Sequence, residues 1–368
     1  MIRLLIVDDS ALIRRLLGDL FAAADDFEVA FARNGVEALE RVRDFQPDVV
    51  TLDVHMPEMD GLTCLDQIML ERPCPVVMVS SLTEAGADVT LEALDLGAVD
   101  FIQKPEGAIS LKMDELGPEL VDKVRVAAGA RLRRSRRLVE RLRRRNGTAV
   151  AKPRPVRQPK VAPAPTHDEP DAPPSALPGL VLIGCSTGGP PALDAVLEEL
   201  PGDFPWPVLV AQHMPSSFTG PLARRLDRLC ALNVVEVTRP TLIVPGRVYI
   251  GKGDADLVVG MRPAGLMAVP MPTKAEYRWH PSVDRMVDSA LAYLDPRQLV
   301  GVLMTGMGYD GAEAMTRLRQ RGGRTVAEAE ETAVVWGMPG ELVRAGGAEF
   351  VVPVDGIAAR MIKLVGGQ

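Results

Sequence analysis

Nine prolines in residues 147–178 constrain this chain more than any other feature. Proline fixes φ and lacks an N–H, so this density blocks helix and sheet and favours extended, polyproline-like chain. The 368-residue sequence is thereby split into two blocks, each long enough to bury its own core. The expected boundaries are 1–125, a connector of Arg-rich helix end and linker at 126–178, and 179–368. Such a linker permits large relative motion of the two domains.

Charge is segregated in the same way. The net −7 of the whole chain resolves into −13 over residues 1–107, +11 over 108–160 and −5 over the rest. The basic middle reads as an Arg-rich helix end and linker, solvated or resting on acidic neighbours. With the whole chain negative and no helix-turn-helix pattern, nucleic acid is not an expected partner. The four cysteines lack C-x-x-C spacing, which argues against a metal site and a disulfide framework. No apolar run of about 18 residues occurs, and MIRLLIVDDS is too short an apolar start for a signal peptide. The expectation is a cytoplasmic monomer.

Residues 1–107 alternate short apolar runs with amphipathic stretches. Strands are expected at 3–7, 28–31, 49–52, 76–79 and 100–103, with helices near 11–22, 35–44, 61–71 and 86–96. This (βα)5 alternation implies a doubly wound parallel sheet. A long helix is expected from about 110 to 144. In such a sheet ligands gather beyond the carboxyl ends of the strands, where Asp8, Asp9, Asp53, Ser80 and Lys104 all fall. Clustered carboxylates repel one another and invite a hard divalent cation, typically Mg²⁺. Asp53, on the central strand, is the best nucleophile, and Lys104 adds a positive contact for a phosphoryl group.

Through VDDS at 7–10, DVHMPEMDG at 53–61, Ser80 and KP at 104–105, this half resembles the receiver domain of two-component response regulators. The resemblance implies that Asp53 accepts phosphate from a histidine kinase. It also implies Mg²⁺ held by Asp8, Asp9, Asp53 and the backbone carbonyl of His55. Ser80 would contact the phosphoryl oxygens, and Phe101 would be the aromatic switch.

From Gly179 a second α/β pattern begins, with β-rich pairs at about 233–250 and 256–269. A Rossmann-like, mainly parallel doubly wound sheet with an antiparallel hairpin insertion fits best. Gly184-Cys185-Ser186-Thr187-Gly188 satisfies G-x-S-x-G, a serine on a sharp strand-to-helix turn. The helix N-terminus beyond it offers N–H groups for an oxyanion. His213 and Asp310 each follow later strands, facing the same sheet edge. A serine needs a base, and the imidazole needs a carboxylate to orient it. Of the four histidines, His55 belongs to the first block, His167 to the linker, and His280 to a helix start where capping is the plainer role. His213 is the better base. The order Ser…His…Asp differs from that of α/β-hydrolases.

This half resembles the catalytic domain of the chemotaxis protein-glutamate methylesterases. The matching segments are IGCSTGGP at 183–190, QHMPSSFTGPLARRLD at 212–227, PSVD at 281–284, MTGMGYDGAEAM at 304–315 and VVWGMP at 334–339. The resemblance implies Ser186 as nucleophile, His213 as base then acid, Asp310 as its orienter, and an oxyanion hole from the backbone N–H groups of Thr187 and Met307. No cofactor is implied there. The reaction implied is phosphorylation-activated hydrolysis of glutamate methyl esters on chemoreceptors, with deamidation of receptor glutamines as a related activity. In the resting state the receiver would lie across the Ser186 cleft. Cys185 stands where alanine is usual and reads as a small buried thiol in packing, not as the nucleophile. His280 stands where arginine is expected before PSVD, GKGDADLVV at 251–259 lacks the histidine often found there, and EAEETAVVW at 328–336 lacks the usual glutamine-aspartate; these departures bear on substrate recognition. The alternative is a receiver-controlled scaffold whose second domain only binds.

Overall fold

A computed structural model describes residues 1–80, 84–104, 109–132 and 177–366; the connector between 133 and 176 lies outside the described residues. The first unit runs β1 (Ile2–Val7), α1 (Ala11–Ala22), β2 (Phe27–Ala32), α2 (Gly35–Asp44), β3 (Val49–Asp53), α3 (Gly61–Glu71), β4 (Val76–Ser80), α4 (Glu84–Leu96), β5 (Asp100–Gln103), α5 (Ile109–Ala128). Its sheet is parallel with order β2-β1-β3-β4-β5. Helices cover both faces, so the central strands VVTLD and VVMVS are buried throughout, while the edge strand FEVAFA is partly exposed. Ser10, Asn34 and Asp60 cap α1, α2 and α3 by accepting from the N–H groups of Ile13, Glu37 and Thr63.

The second unit continues with β6 (Leu180–Cys185), α6 (Gly189–Leu197), β7 (Val208–Gln212), α7 (Ser216–Leu229), β8 (Asn233–Val237), β9 (Thr241–Leu242), β10 (Arg247–Gly251), β11 (Asp256–Arg262) and β12 (Gly265–Met271). It is completed by α8 (Val283–Leu291), β13 (Leu299–Leu303), α9 (Ala312–Gln320), β14 (Arg324–Glu328), α10 (Met338–Arg344), β15 (Phe350–Val352) and α11 (Val354–Gly366). Seven strands form one parallel sheet in the order β15-β14-β13-β6-β7-β10-β8, and β11-β12-β9 form a small antiparallel sheet. The order reverses between β6 and β13, the switch point where an open α/β sheet forms its crevice.

The β-rich stretch 233–250 supplies two strands of the large sheet, β8 and β10, paired in parallel. The intervening chain leaves to pair Thr241 and Leu242 with β12, and so returns in the same direction. Residues 133–144 of the expected long helix lie outside the described residues, and α5 itself ends at Ala128. There Gly129 and Ala130 tighten the last turn onto Val126 and Ala127. Arg131 then donates its N–H to the Val334 carbonyl at 3.0 Å and its guanidinium to Glu330. Tertiary partners in the second unit outweigh helix propensity at this point.

The two units pack closely. α4 lies against α7, and Phe101 of β5 stacks on Phe218 of α7 with centroids 4.2 Å apart. Arg225 of α7 bridges Asp194 of its own unit and Asp95 of α4. Buried residues from both units join in one apolar cluster, beside a further cluster in each unit.

Candidate active site and phosphoacceptor pocket

At the carboxyl end of the first sheet, oxygens of Asp8, Asp9 and Asp53 all lie within 4.8 Å of one another. Asp8 and Asp53 are buried and Asp9 is exposed. Lys104 Nζ sits 2.7 Å from Asp53 Oδ2 and 3.0 Å from Asp8 Oδ2, ion-pair distances reached off the line of a well-aligned hydrogen bond. Burial pushes the Asp53 carboxyl up, Lys104 pulls it back, and Asp8 adds to the rise, so the net direction is upward. Burial works against the Lys104 ammonium, but Asp53 and Asp8 more than offset it and raise its pKa. One lysine facing three carboxylates leaves negative charge that fits a hard, oxygen-liganded cation. His55 donates its N–H to Asp53 Oδ1 at 3.3 Å. Ser80 ends β4 beside Asp53, buried, with its hydroxyl 3.4 Å from the Gly86 carbonyl.

In the second unit β6 and β7 pair in register Cys185↔Gln212, and His213 N–H donates to the Cys185 carbonyl. Ser186 and His213 therefore leave adjacent strand ends, about one interstrand spacing of ~4.8 Å apart. Asp310, from the loop after β13, accepts from His213 Nε2 at 2.8 Å. Because a carboxylate faces Nε2, that nitrogen carries the proton. Nδ1 is buried and has no partner among the described residues.

Asp310 is held by more than the imidazole. Its Oδ2 also accepts from the Val283 N–H (2.7 Å), and its Oδ1 accepts from the Asp284 N–H (3.0 Å) and the Ser282 hydroxyl (3.1 Å). The carboxylate thus sits on the N-terminus of α8, where orphan N–H groups and the helix dipole favour an anion. Burial alone would raise its pKa; His213 and the two backbone donors reverse this and hold it below the usual carboxylate range. Asp284 pays the opposite consequence: burial and the Asp310 charge, only partly countered by the Ala314 N–H, push it up to about 6.

Other positioning groups were named by the sequence only as motif letters, or not at all. Gln212 Nε2 donates to the carbonyls of Ser186 (3.1 Å) and His213 (3.0 Å), and Cys185 Sγ donates to Gln212 Oε1 (3.0 Å). The thiol at 185 orients that amide, and burial pushes it far from ionisation. Gly189 is required here, since a Cβ would come within 1.9 Å of Gln212 Oε1. Fully buried Glu328 accepts from the Thr305 N–H at 2.8 Å, and Thr305 Oγ1 donates to the Thr187 carbonyl at 2.9 Å. Thr305 also accepts the Ser186 N–H at its carbonyl. Among the described residues, the backbone N–H groups of Thr187 and Met307 donate to no other group. The Thr187 hydroxyl donates across the domain boundary to Asp100 Oδ2 at 2.5 Å, directly beside Ser186. His280 is not in the triad: it lies 2.8 Å from Asp256, which also accepts from the Ser282 N–H and the Arg285 guanidinium.

Fold and site define the class: a response regulator whose receiver is joined to a hydrolase-type α/β domain carrying a serine-histidine-aspartate constellation. Residues 4–113 match the response regulator receiver domain and residues 181–361 match the CheB methylesterase domain. The protein-glutamate methylesterase/protein-glutamine glutaminase 2 of Rhodopseudomonas palustris (strain BisB18) is 60% identical over 99% of this chain and 98% of its own. A protein-glutamate methylesterase/protein-glutamine glutaminase 3 of Rhodospirillum rubrum is 54% identical over 98% of this chain and 95% of its own. The solved catalytic domain of Thermotoga maritima CheB methylesterase is 36% identical, covering 50% of this chain and 98% of its own, with a TM-score of 0.49. The chain belongs to the CheB-type protein-glutamate methylesterase family.

Proposed function

We propose that this protein hydrolyses γ-glutamyl methyl esters on chemoreceptors when its receiver is phosphorylated, releasing methanol. The catalytic domain would be residues 179–368 and the receiver 1–125, joined by the 126–178 connector. Ser186 Oγ attacks the ester carbonyl carbon while His213 Nδ1 takes its proton. Asp310 holds the imidazole and stabilises its charged form, and the N–H groups of Thr187 and Met307 face the developing oxyanion. As the tetrahedral species collapses, His213 returns the proton to the departing methoxide. Water, activated by the same imidazole, then cleaves the glutamyl-serine ester to give glutamate. A receptor glutamine entering the same route loses ammonia in place of methanol.

The observation that supports this reading best is the unpartnered, buried Nδ1 of His213 with Nε2 held by Asp310. It leaves an uncommitted ring nitrogen on the residue that follows β7, one strand over from the β6 end that carries Ser186. Asp53 is the phosphoacceptor, taking phosphate from a chemotaxis histidine kinase. Mg²⁺ would be held by Asp8, Asp9, Asp53 and the His55 carbonyl, and supplies charge neutralisation for the incoming phosphoryl group. Lys104 and Ser80 contact its oxygens. The resting receiver restrains the site through the Asp100–Thr187 and Phe101–Phe218 contacts, which phosphorylation loosens. No helix among the described residues is long and apolar enough to cross a membrane, and the enzyme meets the receptors from the cytoplasmic side. Methanol release from methylated chemoreceptor membranes is the test. Ser186→Ala should abolish it, whereas release undiminished in that variant would favour a second domain that only binds.

A further inference from the structure

Beside His213 stands an aromatic shelf that the triad does not use. Trp279 lies parallel to the His213 imidazole, 7° between planes and 6.1 Å between centroids. Tyr309 meets Trp279 edge-on at 4.9 Å, and the Arg278 guanidinium lies 5.3 Å from the Trp279 ring. The shelf is built into the catalytic loop: a Cβ on Gly308, whose φ is +84°, would strike the Trp279 ring at 2.5 Å. Tyr309 is the residue between that glycine and Asp310, and its backbone carbonyl starts the turn into α9. The outer end of the shelf remains open with the receiver docked, since Tyr309 is 59% exposed and Arg278 is exposed as well.

Two features identify what the shelf is suited to hold. Arg278 has no carboxylate within ion-pair distance among the described residues, although 23 acidic residues outnumber 18 basic ones across 161–368. An exposed guanidinium beside an aromatic face, at the mouth of a site and without an internal counter-ion, is complementary to an external carboxylate. An exposed tyrosine edge supported by a second ring offers rigid amphipathic area of the kind that anchors a protein partner. We propose that Tyr309 and Arg278 are specificity-determining residues that dock the receptor segment around the reacting side chain. Tyr309 packs on its methylene groups, and Arg278 pairs with a neighbouring glutamate carboxylate. The occupant is an acidic peptide segment in which unesterified glutamates flank the ester. The assignment rests on the methylesterase reading above and names the part of the substrate that the triad does not touch.

The test is selectivity. For wild type, Tyr309→Ala, Arg278→Glu and Arg278→Lys, kcat/KM is measured on methylated receptor membranes and on a neutral small ester, N-acetylglutamic acid α-amide γ-methyl ester. Acetyl phosphate and Mg²⁺ are present throughout. The ratio of the two values should fall about fivefold to tenfold in Tyr309→Ala and in Arg278→Glu, through KM on the receptor. Arg278→Lys should keep most of it. The Arg278→Glu deficit should shrink as salt is raised, since an exposed pair is screened. An unchanged ratio, or an equal loss on both substrates as expected of a merely structural loop, overturns the proposal. Wild-type enzyme that releases no methanol from receptors sinks the methylesterase reading itself and takes this assignment with it.

Discussion

Replacing Asp95 with alanine should release the resting brake without touching either proposed site. Asp95 is on α4 of the receiver, and its partner Arg225 is on α7 of the second unit; their side chains are 13% and 12% exposed. Arg225 keeps its own Asp194 in the variant, so no bare buried guanidinium is left behind. Losing one partner of a buried charge pair costs up to about 3–5 kcal/mol. With Asp194 retained, a loss of about 2 kcal/mol from the docked state is the reasonable scale. That is a factor of about 30 in the ratio of docked to released receiver. Unphosphorylated enzyme should therefore hydrolyse receptor esters faster, by up to about that factor and capped at the rate of the phosphorylated wild type. The assay is methanol release from methylated receptor membranes without a phosphodonor, beside a circular dichroism melt of the variant. A basal rate equal to or below that of wild type, in a protein that still melts cooperatively, would refute the interface as the brake.

Three further outcomes are expected. Asp310→Asn must turn an amide NH₂ toward donors, because both carboxylate oxygens accept from N–H groups; kcat should fall by about 10³–10⁴ and stability by about 1–3 kcal/mol, read by turnover and denaturant melts. Asp284 carries a raised pKa of about 6, so its contribution to stability is present below its unfolded value and is lost as pH rises from about 4 to about 6. Wild type should accordingly lose stability relative to Asp284→Asn across that window, by up to about 3 kcal/mol; parallel stability curves for the two proteins would contradict this. Asp310, held low, acts the other way, its contribution being present above the ordinary carboxylate pKa and lost as pH falls through its folded value, so the stability gap between wild type and Asp310→Asn should narrow only below pH ~4.

Much of this was legible in the sequence, because strand ends in parallel α/β sheets carry the chemistry. VDDS, DVHMPEMDG and IGCSTGGP each place polar residues at the end of a run of buried, mostly apolar ones, and the expected strands 3–7, 49–52 and 76–79 lie within one or two residues of those observed. Long-range partners were harder to read. PSVD looked like a helix start and is one, but nothing local shows that its first N–H groups hold Asp310, 26 to 28 positions away. The Cys185 departure resolves into a donor for Gln212, a relation set by the pairing of β6 with β7. The end of α5 depended on Val334 and Glu330, some 200 residues further along, and an Arg-rich composition with good helix propensity could not reveal that. The sharing of Asp100 and Phe101 across the boundary was equally hidden, since both also satisfy the pattern of an ordinary strand end.

The central claim is that one chain couples phosphate on Asp53 to ester cleavage at Ser186. The most direct measurement is methanol release from methylated receptor membranes with and without acetyl phosphate plus Mg²⁺, on wild type and on Asp53→Asn. Release that climbs with the phosphodonor in wild type and stays at the basal rate in Asp53→Asn is the expected result. Equal release with and without the donor in wild type would contradict the coupling, and stimulation that persists in Asp53→Asn would contradict the assignment of the phosphoacceptor.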